Sequence, residues 1–166
     1  IAGKFNHTYS KVFNLPEALI QNEISVPGID GRKMSKSYNN IIPFLCSEKE
    51  LKKAISKIVT NSLEPGEPKD CNNCNLFELY SLFGNAEQIA SFKQAYSDGI
   101  SWGDAKKELF TVINSEIIPI REKYFELNAL PDLLNDLFAD GARKVRPQAQ
   151  ELIEKLRDLV GISKIV

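Results

Sequence analysis

The sequence predicts a mainly α-helical fold that follows the last strand and loop of a sheet. Three observations carry that prediction. From Ser47 onward the apolar residues recur at the helical period. Ahead of that point, Ile24-Ser25-Val26 is an alternating β-prone triplet stopped by Pro27-Gly28. Between the two, Gly31-Arg32-Lys33-Met34-Ser35-Lys36-Ser37-Tyr38-Asn39-Asn40 has no apolar period and reads as a polar, mobile loop.

Residues 1–14 read as the end of a helix and a loop, since Ile1 and Phe5 stand four apart. The chain starts at Ile1 and its one methionine is Met34, so residues are expected upstream. His7, the single histidine, reads as a surface or capping side chain. A strand of three residues is not stable alone, so Ile24-Ser25-Val26 is expected to belong to a parallel sheet whose other strands lie outside this chain.

After the loop, Ser47 with Glu50 forms a capping box, and Leu51, Ala54, Ile55, Ile58 and Val59 follow on one face. The lysines opposite (Lys49, Lys52, Lys53, Lys57) suit a solvated face, with RNA contact as the other reading. Residues 60–74 contain Pro65, Gly66 and Pro68 and predict a mobile loop. Asn75 with Glu78 is expected to cap a helix over 76–83, stopped by Gly84. Asn85 with Gln88 caps the next, which turns Ile89, Phe92 and Tyr96 inward until Asp98-Gly99. Ser101 opens a longer helix with Trp102 as a core anchor. Its face is Leu109, Val112, Ile113, Ile117, Ile120, Tyr124 and Leu127, with a kink expected at Pro119. Pro131 suits the first position of a last segment. There Leu134, Phe138, Ala142, Val145, Ala149, Leu152, Leu156 and Leu159 keep phase through Pro147, as a bent helix or a stacked pair, until Gly161.

Composition narrows the function. With 21 Lys+Arg against 22 Asp+Glu, no global field draws nucleic acid or anionic lipid, so any RNA contact must be local. Residues 141–166 hold six basic residues (Arg143, Lys144, Arg146, Lys155, Arg157, Lys164) and three acidic ones. That balance fits a phosphate-contacting patch or a mixed helix surface. No apolar run reaches membrane-spanning length, and a cytoplasmic protein is expected. Cys71-Asn72-Asn73-Cys74 is a lone Cys-x-x-Cys. With only Cys46 besides, it falls short of the four ligands zinc prefers, so reduced thiols and no structural metal are expected.

The loop is where chemistry is expected. A lysine ammonium offers three donors around a compact charge, and serine hydroxyls can add hydrogen bonds to the same oxygens. A triphosphate is the natural partner for Lys33, Ser35, Lys36 and Ser37. The string Lys33-Met34-Ser35-Lys36-Ser37 resembles the second signature of class I aminoacyl-tRNA synthetases. Phe5-Asn6, Val12-Phe13-Asn14-Leu15-Pro16-Glu17-Ala18, Tyr38-Asn39-Asn40-Ile41-Ile42 and Gly141-Ala142-Arg143-Lys144 resemble the bacterial tryptophanyl enzymes, over essentially the whole chain but only the C-terminal half of such a protein.

That resemblance implies residues 1–45 as the end of a Rossmann-type catalytic domain and residues 46–166 as an α-helical tRNA anticodon-recognition domain. It implies activation of tryptophan by ATP with Mg²⁺, transfer to tRNA(Trp), and a homodimer in the full enzyme. Lys36 and then Lys33 would be the catalytic cations. Ile24, Lys33, Met34, Ser35, Lys36 and Ser37 would form the ATP contacts, with Met34 tethering the loop. The histidine-bearing signature has no match here, so this chain alone is expected to be inactive. A tyrosyl-type fragment and a non-catalytic helical tRNA-binding module remain the alternatives.

Overall fold

The computed structural model describes residues 1–19 and 25–162. It is helical: α1 Ala2–Thr8, α2 Glu48–Ser56, α3 Asn75–Phe83, α4 Ala86–Ser97, α5 Trp102–Asn128 and α6 Pro131–Leu159, with a 3-10 turn at Lys36–Tyr38. Two compact units are present, Ile24–Glu126 and Ile1–Glu23 with Leu127–Val166.

The strand expected at Ile24-Ser25-Val26 is not seen in its described part. Ile24 lies outside the described residues. Ser25 and Val26 are not in a strand; a single antiparallel bridge pairs Pro27 with Lys33, and Met34 N–H donates to the Val26 carbonyl at 2.8 Å. Among the described residues, Ser25 and Val26 have no neighbouring strand to pair with, and Val26 bonds to the following loop instead.

The unit Ile24–Glu126 has one core. Leu51 and Ile55 from α2, Leu76, Leu79 and Tyr80 from α3, Phe92 and Tyr96 from α4, and Leu109, Ile113 and Ile117 from α5 meet there, with Ile42 and Ile58. Aromatic rings run through it: Tyr80 stacks on Phe92 at 3.9 Å, and Tyr96 meets Phe92 and Trp102 edge-on. The capping boxes at Ser47/Glu50 and Asn85/Gln88 both form. α2 ends at Ser56, so Val59 leaves the helical face and is exposed, while its N–H donates to the Ile29 carbonyl.

Asn75 is not the expected cap. Cys74 occupies that position without a side-chain bond, and the Asn75 amide donates instead to the Gly28 carbonyl at 3.3 Å. On α5 the apolar face holds through Ile117; then Ile120 and Tyr124 are exposed and Arg121 is buried, donating to Asn114 Oδ1 at 2.9 Å. The 60–74 loop is tied down. The Lys69 ammonium is buried on the Glu64 and Glu67 carbonyls and faces the Trp102 ring. Gly66 and Gly99 touch, both in the left-handed region.

In the other unit, Asn6 closes the chain after α1. It donates to the Phe13 carbonyl and accepts from the Val12 and Phe13 amides. His7 lies exposed in the last turn of α1. α6 is one continuous helix through Pro147, not a stacked pair, and Gly161 at φ +77° follows its end. None of its residues is buried. Leu134, Leu156 and Leu159 are half-buried, and Phe138, Val145 and Leu152 are exposed.

Candidate functional site: a braced basic loop

Residues 28–40 form a closed loop built around one buried side chain, Asn40, only 1% exposed. Its Oδ1 accepts from Ser35 N–H at 2.8 Å; its Nδ2 donates to Asp30 Oδ1 at 2.7 Å and to the Lys33 carbonyl at 3.2 Å. The backbone closes the same ring. Gly28 N–H reaches the Arg32 carbonyl at 2.7 Å, and Ile29 N–H reaches the Asn40 carbonyl at 3.0 Å. Gly28 is required here, because a Cβ would fall 2.4 Å from Asn40 Nδ2. Gly31 turns at φ +81°, where an L side chain is strained.

The tip is the 3-10 turn. Ser35 Oγ accepts from Ser37 N–H at 3.2 Å, and Asn39 leaves the turn in the left-handed region that asparagine tolerates. The polar loop expected from the sequence thus has a pre-shaped tip. Met34 is half-buried on the helical core and lines an apolar pocket of about 590 Å³ with Ile42, Leu79, Phe83 and Ile113.

The charges are sorted. Arg32 pairs with Asp30 at 2.7 Å and lies 4.6 Å from the Tyr38 ring centre. The Asp30 carboxyl is held below its ordinary value, first by the Asn40 hydrogen bond and then by Arg32. Lys33 and Lys36 are exposed, and among the described residues neither ammonium has a hydrogen bond or ion pair. One cation is thus spent on folding the loop and two are left for solvent or ligand. With the Ser37 hydroxyl exposed beside them, the tip can hold an anion bearing several oxygens.

Of the residues singled out from sequence, Lys33, Met34, Ser35, Lys36 and Ser37 are brought together on this loop, whereas Ile24 lies outside the described residues. The sequence reading missed that Asn40, Asp30 and Asn75 brace the loop. An asparagine in a polar loop looks like a turn residue, and nothing in the string marks one as buried. The cysteines are free thiols, and among the described residues no group of three His, Cys, Asp or Glu side chains could hold a metal ion.

Comparison with known proteins gives consistent results. The family model described as tRNA synthetases class I (W and Y) matches residues 1–117. The tryptophan–tRNA ligase of Neisseria meningitidis is 45% identical over 163 residues, 98% of this chain and 48% of that protein. That of Pseudomonas aeruginosa is also 45% identical, over 99% of this chain and 38% of its own length. The crystal structure of the Campylobacter jejuni tryptophanyl-tRNA synthetase complexed with ADP and tryptophan superposes with a TM-score of 0.82. It is 41% identical, covering 96% of this chain and 51% of its own. The chain therefore spans about half the length, or less, of the relatives it matches.

Proposed function

From the premise that this chain belongs to the class I tRNA synthetases for tryptophan and tyrosine, we propose that it is the C-terminal portion of a tryptophan–tRNA ligase. The full protein activates tryptophan with ATP and transfers it to tRNA(Trp), as a cytoplasmic homodimer. No helix among the described residues is long and apolar enough to cross a membrane. By role, residues 1–45 end the nucleotide-binding domain and residues 46–166 form the helical domain that recognises tRNA, with the basic residues of α6 toward phosphate.

One observation carries the reading. The two loop lysines are unpaired on a braced tip, while the neighbouring arginine is already neutralised. In the proposed reaction the tryptophan carboxylate attacks the α-phosphorus of ATP and pyrophosphate leaves. Negative charge gathers on the departing oxygens, so a donor that binds them best at that moment lowers the barrier. Lys36 has that role, seconded by Lys33; Ser35 and Ser37 contribute donors. Met34 holds the loop base on the helices, so the lysines approach ATP from a fixed platform. Ile24 contributes a backbone contact to adenine. Mg²⁺ would be the counter-ion of the phosphates; the described residues do not gather a ligand set for it.

The test is ATP–pyrophosphate exchange by the full-length protein, with tryptophan and with tyrosine. Exchange is expected with tryptophan. Lys36→Ala should slow it by about 10²-fold or more, with little change in tryptophan affinity. An unchanged rate removes Lys36 from the mechanism, and exchange only with tyrosine overturns the specificity.

A further inference from the structure

The cysteine pair ahead of α3 is outside the chemistry above. Asn72 and Asn73 are the central residues of a turn, with Cys71 and Cys74 at its two ends. The ends of such a turn lie within about 7 Å between Cα atoms, which matches the roughly 4.4–6.8 Å span a disulfide bridges. Both thiols are free and half-buried, so a small reagent can reach them, and both pack on the same core. Cys74 Sγ lies 3.5 Å from the Tyr96 hydroxyl. Burial first, then the hydrogen bond and charge of Cys74 and the charge of Cys71, hold that phenol above its ordinary range.

The next residue links this pair to the loop. Asn75 Nδ2 donates to the Gly28 carbonyl, which also accepts from Gly31 N–H at 3.1 Å. Cys74 precedes Asn75 directly; it makes no side-chain capping bond, and its carbonyl accepts from Glu78 N–H at 2.9 Å, so a shift of Cys74 is carried into the first turn of α3.

We propose that Cys71 and Cys74 are a peroxide-sensitive dithiol that closes to a disulfide, and that Asn75 passes the change to the base of the 28–40 loop. One thiolate attacks a peroxide oxygen; the O–O bond breaks, hydroxide leaves, and a sulfenic acid forms. The second sulfur attacks the sulfenic sulfur, its S–O bond breaks, and water leaves. Two thiols lose two electrons and hydrogen peroxide becomes two waters. Cys46 is the control. Its thiol donates to the Pro43 carbonyl at 2.9 Å, and burial pushes its pKa up, which lowers the thiolate fraction. Neither the disulfide nor its coupling to the loop rests on the synthetase reading.

The experiment treats the full-length protein with a small excess of hydrogen peroxide, alkylates remaining thiols and maps peptides by mass. A peptide holding both cysteines should be unalkylated and about 2 Da lighter, a loss of two hydrogens. It should be restored by dithiothreitol, persist in Cys46→Ser and vanish in Cys71→Ser. Sulfinic or sulfonic acids without that species, or a disulfide using Cys46, overturn the pairing. On oxidation the Gly31 amide should exchange with deuterium at least about three times faster in the wild type and not in Cys71→Ser. Unchanged exchange in an oxidised wild type overturns the coupling. Because both readouts are independent of aminoacylation, they separate this proposal from the proposed activity.

Discussion

Asn40→Ala should loosen the loop while leaving both lysine side chains in place. The truncation removes the acceptor of Ser35 N–H at 2.8 Å and the donor to the Lys33 carbonyl at 3.2 Å. Each neutral bond is worth about 1 kcal/mol net, so the closed loop should lose about 2 kcal/mol relative to its open forms. That is roughly a thirtyfold rise in open population. The reporters are the Gly28 and Ile29 amides, whose backbone acceptors survive the substitution; both should exchange about thirtyfold faster. The Asp30 bond adds a pH signature. In the folded loop Asp30 is held below its ordinary pKa, so its contribution is present above the unfolded value and fades as pH falls through the folded one. The wild-type advantage should therefore shrink below about pH 4. Amides within threefold of wild type at neutral pH would refute the bracing role.

The remaining predictions concern the helical unit and are read by chemical unfolding. Gly99→Ala forces a side chain into φ +82° and puts a Cβ 2.4 Å from the Gly66 carbonyl carbon; a loss on the order of 2 kcal/mol or more is expected. Ile113→Ala, at 0% exposure, should cost about 2–5 kcal/mol. Lys69→Met leaves the Glu64 and Glu67 carbonyls without their ammonium donor and should cost about 1–3 kcal/mol, whereas Lys49→Met on the solvated face of α2 should change little.

The helices were legible because their signals are local. Ser47/Glu50 and Asn85/Gln88 announce their caps within four residues, and Phe92, Tyr96, Leu109 and Ile113 keep a period that only one buried face explains. Pro131 and Gly161 bracket α6 for equally local reasons. The loop lysines were legible as chemistry, but not the frame that holds them. That frame depends on Asn40 meeting Asp30, ten residues away, and Asn75 meeting Gly28, 47 away. A one-dimensional pattern carries no trace of such pairings. Asn75 shows the conflict directly: its spacing to Glu78 satisfies the capping rule, yet the Gly28 carbonyl takes its amide. Arg121 and Lys69 were missed for another reason: their acceptors, Asn114 Oδ1 and the Glu64 and Glu67 carbonyls, are near in sequence, but spacing alone does not mark a cation as buried on them.

The most direct test of the central claim is lysine footprinting of the full-length protein by an acylating reagent, with and without ATP and Mg²⁺. Protection confined to Lys33 and Lys36, with Lys49 and Lys53 labelled equally in both conditions, is the predicted result. Equal labelling of all four would contradict the assignment of this loop to the phosphates.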